Sequence, residues 1–260
     1  MKFGCFGFTN QIEMIEKLGY DCIELDLSEI VSMSEREVSS LRRRVEASRL
    51  GFEVFSGLIP LTVRFHAPDF DETYWLEHIR TAARRAAALG CVMIPFGAGK
   101  CRSIPEDCPS IQTAKDHVTH LVRTISDIVG EHGITLVVEP LGPANSNYVN
   151  TIPEAEAFLR TVNRSNCLTM CDLRHMHKQD EPLCHIPQYA TKIRHAHIDY
   201  PQGTARLFPQ EGDGYDYAPY FQALRDAGYN AILTIEATAY TDFEREAGSA
   251  LAYLQKLNDT

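Results

Sequence analysis

Short apolar runs recur along the chain, and each is followed by a longer stretch whose apolar positions repeat at helical spacing. The runs are Phe3 to Phe8, Cys22 to Leu25, Phe52 to Ser56, Cys91 to Phe96, Ile134 to Glu139, Leu168 to Asp172, Ile193 to His197 and Ala231 to Glu236. Their brevity and their content of β-branched and aromatic residues read as buried parallel strands. The intervening stretches predict helices over Thr9 to Leu18, Ser34 to Arg49, Asp71 to Leu89, Thr113 to His132, from Pro153 onward, Ile186 to Thr191, Tyr217 to Ala227 and Asp242 to Lys256. Ser34 and Glu37 form a capping-box pair, Pro153 stands in a first turn, and Gly19, Gly51, Gly90, Gly133 and Gly228 follow helix ends. Strand and helix therefore alternate eight times in units of roughly 30 residues, the size of a βα unit. Eight such units predict an α/β protein with a single (β/α)8 TIM barrel, and the absence of a linker or low-complexity stretch predicts one domain over residues 1–260.

The polar positions add chemistry. Connections after strands are long and those after helices are short, so sequence length has gone to the face where such barrels build their active sites. The last four strands each end in a side chain able to ligate a metal: Glu139, Asp172, His197 and Glu236. Their spacings of 33, 25 and 39 residues are each about one βα unit. Alternation along a strand lets all four face the barrel mouth at one height. Three carboxylates gathered there would repel one another without a cation. Three oxygen ligands with one imidazole suit Mn²⁺, Mg²⁺ or Co²⁺ better than a structural Zn²⁺.

Charge and composition narrow the partners. A net charge of −10 disfavours phosphate backbones and anionic membrane surfaces. No apolar run is long enough to span a bilayer, and Met1 to Cys5 lacks the pattern of a secretory signal, which predicts a cytoplasmic protein. The eight cysteines are irregularly spaced, without the C-x2-C pairs of a zinc site, and read as reduced, partly buried thiols.

Val138-Glu139-Pro140-Leu141, Cys171-Asp172-Leu173-Arg174-His175-Met176, His195-Ala196-His197 and Ile235-Glu236 resemble the sugar isomerase/epimerase superfamily of xylose-isomerase-like barrels, and within it the ketose 3-epimerase group. Phe96 to Pro105 is similar to a loop of related enzymes. The resemblance implies that the four side chains hold a divalent ion, commonly Mn²⁺, and that Glu139 and Glu236 also form an acid/base pair that inverts a ketose at C3. It implies substrate contacts for His175 and Arg206, although Arg206 comes nine residues after His197, further than in those epimerases. Asn145 stands where the group often has a glutamate, six residues after the first ligand. His66 and Arg64 lie in one long loop and Lys100 in a second, on the same face, and His66 is a further candidate for substrate contact. His195 is expected behind His197, and Phe6 and Phe8 are candidates for an apolar wall against the sugar. The resemblance also implies a small sugar as partner and a homo-oligomer, dimer or tetramer. A lyase on the same scaffold (an inosose-type dehydratase, or keto-glycoside cleavage) begins with the same proton abstraction and needs an additional acid, for which His66, His175 and His177 are candidates. The acidic net charge disfavours the DNA-repair endonucleases of the superfamily, and a non-catalytic sugar-binding barrel is the remaining alternative.

Overall fold

The computed structural model describes residues 1–259, so the last residue of the expected 1–260 domain lies outside the described residues. In chain order the elements are β1 (Lys2–Gly7), α1 (Ile12–Leu18), β2 (Cys22–Asp26), α2 (Leu27–Ser32), α3 (Glu35–Ala47), β3 (Gly51–Ser56), α4 (Glu72–Ala88), β4 (Met93–Phe96), α5 (Gly99–Arg102), α6 (Ile111–Gly130), β5 (Thr135–Val138), α7 (Ile152–Val162), β6 (Cys167–Asp172), α8 (Leu173–Lys178), α9 (His185–Gln188), β7 (Ile193–Ile198), α10 (Ala218–Asp226), β8 (Ile232–Ile235) and α11 (Phe243–Asn258). The eight strands form a closed parallel barrel in sequence order. Pairing of β1 with β8, with Lys2 opposite Ile232 and Cys5 opposite Ile235, closes it.

The strand pattern has its physical reason in burial. Val138, Met170, Cys171, Leu233 and Ile235 have essentially no exposed surface, because a parallel barrel strand is covered by helices outside and by side-chain layers inside. The capping box at Ser34 forms as expected, and Asp71, Ser110, Thr151 and Asp242 cap α4, α6, α7 and α11 through their side chains. Thr9 does not cap a continuous helix. It opens a 3-10 turn, Thr9–Gln11, ahead of α1, and the Gln11 side chain reaches back to the Phe8 N–H.

Three helices stand where the sequence pattern gives only loops. They are α2, α5 and α8, with six, four and six residues. Such lengths hold less than two turns, too few for a periodic pattern. Two of them start directly from a strand, because the strand's last carboxylate caps the helix: Asp26 for α2 and Asp172 for α8.

Candidate metal centre and substrate cavity

Glu139 and Glu236 lie one residue beyond β5 and β8, Asp172 is the last residue of β6, and His197 lies inside β7. Strand register levels them: Asp172 pairs with His197, and His197 with Thr234. One ligand-type atom from each of the four falls within 4.8 Å of the others. His197 Nδ1 is 3.2 Å from Glu236 Oε2, 3.6 Å from Glu139 Oε1 and 3.7 Å from Asp172 Oδ2. His197 Nδ1 and Glu139 Oε1 are buried and have no hydrogen-bond partner. Buried polar atoms are nearly always paired, so two orphans aimed at one point fit the ligand shell of a cation better than they fit a finished hydrogen-bond network. The donor set of three carboxylates and one imidazole has the chemistry of a divalent-metal site.

Two neighbours place Glu139. Arg102, on α5, is fully buried, and its guanidinium donates to the carbonyls of Phe96 (3.2 Å), Glu139 (2.5 Å), Tyr148 (3.1 Å) and Val149 (3.2 Å). It ties the end of β4 to the end of β5 through a forked donor that no other side chain offers. Gly97 supplies room on the other side. A Cβ there would overlap Glu139 Oε2 and lie 3.3 Å from its Cδ.

Asp172 divides its carboxylate between two tasks. Oδ1 accepts the His175 N–H at 2.9 Å, capping α8, while Oδ2 faces the centre. Burial opposes its ionisation, but His175, His197 and Arg206 hold the carboxyl well below the usual range. Glu236 is also lowered, with burial outweighed by Arg206 and His197. For His197, burial disfavours the charged ring, yet Glu24 and Glu236 raise its pKa well above the ordinary value. An ion bound at Nδ1 would displace that proton.

Behind His197 lies Glu24 of β2, 1% exposed. His197 Nε2 is 3.2 Å from both of its oxygens, His195 Nε2 is 2.9 Å from Oε2, and the Ser56 hydroxyl donates to Oε1. Burial opposes ionisation of Glu24, and the two imidazoles outweigh it. His195 thus sits deeper than His197, as the alternation predicts.

Arg206 reaches the same centre. Its Nη1 lies 2.5 Å from Glu236 Oε2, 3.2 Å from Asp199 Oδ2 and 3.5 Å from Asp172 Oδ2, and Nη2 lies 3.0 Å from His175 Nε2. Asp199 is buried between Arg206 and Arg174, and Arg174 donates to the carbonyls of Tyr200 and Gly203. Burial and the charge of Asp172 push the Asp199 carboxyl up to about 8, against the pull of the two arginines. His175 is buried on α8, accepts the Gly142 N–H through Nδ1 at 3.2 Å, and turns Nε2 toward Glu139 Oε1 (3.8 Å).

Of these groups, Glu139, His175, His197, Arg206 and Glu236 line a cavity of about 660 Å³ at the barrel mouth. Its far side is made by Phe6, Phe8, Asp26, Ser56, Ile59 and Leu61. Phe6 and Phe8 stand edge-to-face with centroids 5.7 Å apart. Asn145 lines the cavity as well. Among the described residues lining it, Arg206 is the only lysine or arginine, and its charge is committed to three carboxylates.

The structure places His66 apart from these residues. It lies outside this cavity, in a separate groove with Pro68, Cys108 and His117, its ring 5.3 Å from that of His117. The loop after β3 turns away from the mouth once Leu61 has passed the rim, held by Arg64 donating to the Leu61 and Val63 carbonyls and by Phe65 N–H donating to Cys101. Lys100 is exposed and lines no part of the cavity, and His177 packs its ring against Tyr215 instead.

Glu24, Gly97, Arg102 and Asp199 carry no assignment from sequence reasoning. Glu24 did leave a signal, since a carboxylate inside the apolar run Cys22-Ile23-Glu24-Leu25 must find partners. Asp199 lies two residues beyond His197 with the same strand parity, which would have aimed it at the mouth.

A family model described as Xylose isomerase-like TIM barrel matches residues 12–257, and the chain belongs to that family. Among curated proteins it is similar to the D-psicose 3-epimerase of Agrobacterium fabrum, 24% identical over 178 residues, covering 67% of this chain and 61% of that protein. The chain thus matches less than two thirds of that relative's length. Among solved structures it is similar to D-psicose 3-epimerase with D-tagatose from Clostridium cellulolyticum H10, with a TM-score of 0.85, 18% identity and 99% of each chain covered. It is also similar to the IOLI protein with a bound zinc atom, with a TM-score of 0.77, 20% identity, and 100% of this chain and 98% of that one covered. At these identities the structural likeness establishes the fold.

Proposed function

We propose that this chain is a divalent-metal-dependent sugar epimerase that inverts a ketose at C3, the carbon beside its carbonyl, with Glu139 and Glu236 as the acid/base pair. The observation that carries this reading is the pair of glutamates in one cavity, on β5 and β8, with β6 and β7 between them in the barrel order. Carboxylates on opposite sides of a bound sugar can serve its two faces. One removes the C3 proton, leaving an enediolate, and the other returns a proton to the opposite face. In the reverse direction their roles exchange. General acid–base help of this kind contributes about 10²–10⁴-fold.

Glu139, Asp172, His197 and Glu236 would hold the metal. When bound, it acts as a Lewis acid at the carbonyl and adjacent hydroxyl oxygens and lowers the energy of the enediolate. The oxygen-rich donor set supports Mn²⁺, with Mg²⁺ or Co²⁺ as substitutes. His175 and Arg206 present N–H groups toward the oxygens of the reacting carbons. Arg206 also keeps Glu236 ionised and ready to accept a proton. Phe6 and Phe8 offer an apolar surface to the sugar's carbon face, and Asn145 meets its far end as a neutral donor and acceptor. The lack of an uncommitted cation among the described residues lining the cavity supports an uncharged sugar over a phosphorylated one.

A lyase would need an extra acid at the leaving group. Of the three histidines named for that task, only His175 lines the cavity, which favours epimerisation.

The test is incubation of the Mn²⁺-loaded protein with a panel of free ketoses in D₂O. The expected result is C3 epimer carrying deuterium at C3, abolished by Glu139→Gln and by Glu236→Gln. Turnover by both variants at the parent's rate would refute the acid/base assignment. An eliminated product without epimer would refute the reaction class.

A further inference from the structure

We infer that Glu24 is the positioning residue that fixes the His197 ring, drawing the ring proton to Nε2 and leaving the Nδ1 lone pair aimed at the three carboxylates. The role toward an ion rests on the metal reading above, while the ring orientation and proton placement rest on Nε2 meeting Glu24 in hydrogen-bond geometry and on Nδ1, though 3.2 Å from Glu236 Oε2, meeting none of the three carboxylates in that geometry. A neutral imidazole has one N–H and one lone pair, and the partner of one nitrogen decides which it holds. An ionised carboxylate can only accept, so Nε2, 3.2 Å from both Glu24 oxygens, carries the proton. Nδ1 is then free, and it has no hydrogen-bond partner while facing Glu139, Asp172 and Glu236. The opposite tautomer would put an N–H among those carboxylates and a lone pair against Glu24. Such a ring could not ligate an ion through Nδ1.

Glu24 is itself immobilised. Its backbone lies between Phe6 of β1 and Val54 of β3, and Ser56 and His195 occupy its oxygens together with His197. It is shut off from bulk solvent, since Glu24, His195 and His197 are 1%, 0% and 1% exposed. The same three residues bring ligand-type atoms close enough to hold an ion of their own. Hydrogen bonding is the better account. The nitrogen–oxygen separations of 2.9 to 3.2 Å are those of N–H donors meeting a carboxylate, and a second ion would require His197 to lose both ring protons.

The experiment pairs ¹⁵N NMR of the histidine rings with metal titration of the parent, Glu24→Gln and Glu24→Asp. In metal-free parent at alkaline pH, where the ring is neutral, His197 should be protonated at Nε2. In Glu24→Gln the amide N–H opposes that arrangement, and a population protonated at Nδ1 should appear. Loss of such an outer partner typically weakens metal affinity by about 10–100-fold, and Glu24→Asp, which still accepts a proton, should recover part of that loss. At saturating Mn²⁺ the sugar KM should stay near the parent's value. A parent ring protonated at Nδ1 would overturn the inference without any variant. So would Glu24→Gln with the parent's tautomer and affinity, or a parent that binds two ions per chain. A parent that binds no ion refutes the metal reading instead, and its NMR spectrum still decides the role of Glu24.

Discussion

Gly97→Ala tests how tightly the site is built around Glu139. Gly97 lies outside the left-handed backbone region, so alanine is conformationally acceptable there. The fold should tolerate the change, and the stiffer unfolded chain favours it by about 0.4–1 kcal/mol. The difficulty is local. The new Cβ would overlap Glu139 Oε2 and meet Cδ at 3.3 Å. Arg102 holds the Glu139 carbonyl from behind, so the backbone cannot retreat and the carboxylate must swing. A displacement of about 1 Å at a reacting group costs about 10²-fold in rate. That corresponds to about 2.7 kcal/mol of transition-state stabilisation. We expect kcat for the best ketose to fall by about this factor, metal affinity to weaken with it, and Tm to stay within a few degrees. Steady-state kinetics, metal titration and thermal melts on the same preparation separate these effects. A Gly97→Ala enzyme with kcat and metal affinity within about 3-fold of the parent would refute the claim that this glycine makes room for a Glu139 carboxylate that works in the proposed reaction.

Two other expectations concern stability and thiol chemistry. Arg102→Met removes a buried charged donor from four carbonyls, and relief of its desolvation offsets part of the loss, so urea denaturation should show about 2–4 kcal/mol of destabilisation; a change below about 1 kcal/mol would contradict the tie between β4 and β5. Among the eight cysteines, Cys184 is exposed and Cys108 half-buried, whereas burial pushes Cys91, Cys101 and Cys171 up to about 12 and Cys167 up to about 11. A thiol reagent at pH ~8 should therefore modify Cys184 quickly and Cys108 slowly in native protein, and all eight only after unfolding; fast modification of more than these two would refute the burial.

The barrel was legible because its strands are short, apolar and regularly spaced, and the quartet because Glu139, Asp172, His197 and Glu236 each close such a run. Arg206 shows why spacing alone misleads in loops. Its extra residues after His197 are absorbed by a loop stitched back onto the barrel, with Tyr200 N–H donating to Leu207 and the N–H groups of Thr238 and Ala239 donating to Arg206 itself. The guanidinium therefore still arrives at Glu236. His66 lies away from the cavity for the converse reason. Loop membership says which face a residue leaves from and nothing about where the loop then turns. Glu24, Arg102 and Gly97 act through three-dimensional neighbours on other strands, and no one-dimensional pattern records those partners.

The cavity is assembled from two halves of different kinds. The groups proposed to bind an ion and move protons come from the ends of β5 to β8, whereas β1 to β3 contribute Phe6, Phe8, Asp26, Ser56 and the loop to Leu61. The two stretches are not independent, since Glu24 of β2 reaches across the barrel to His197, and Ser56 of β3 donates to Glu24. Recombining the first quarter of this chain with that of a relative would accordingly alter the Phe6 and Phe8 wall of the cavity, and would leave the quartet's setting intact only where Glu24 and Ser56 are kept.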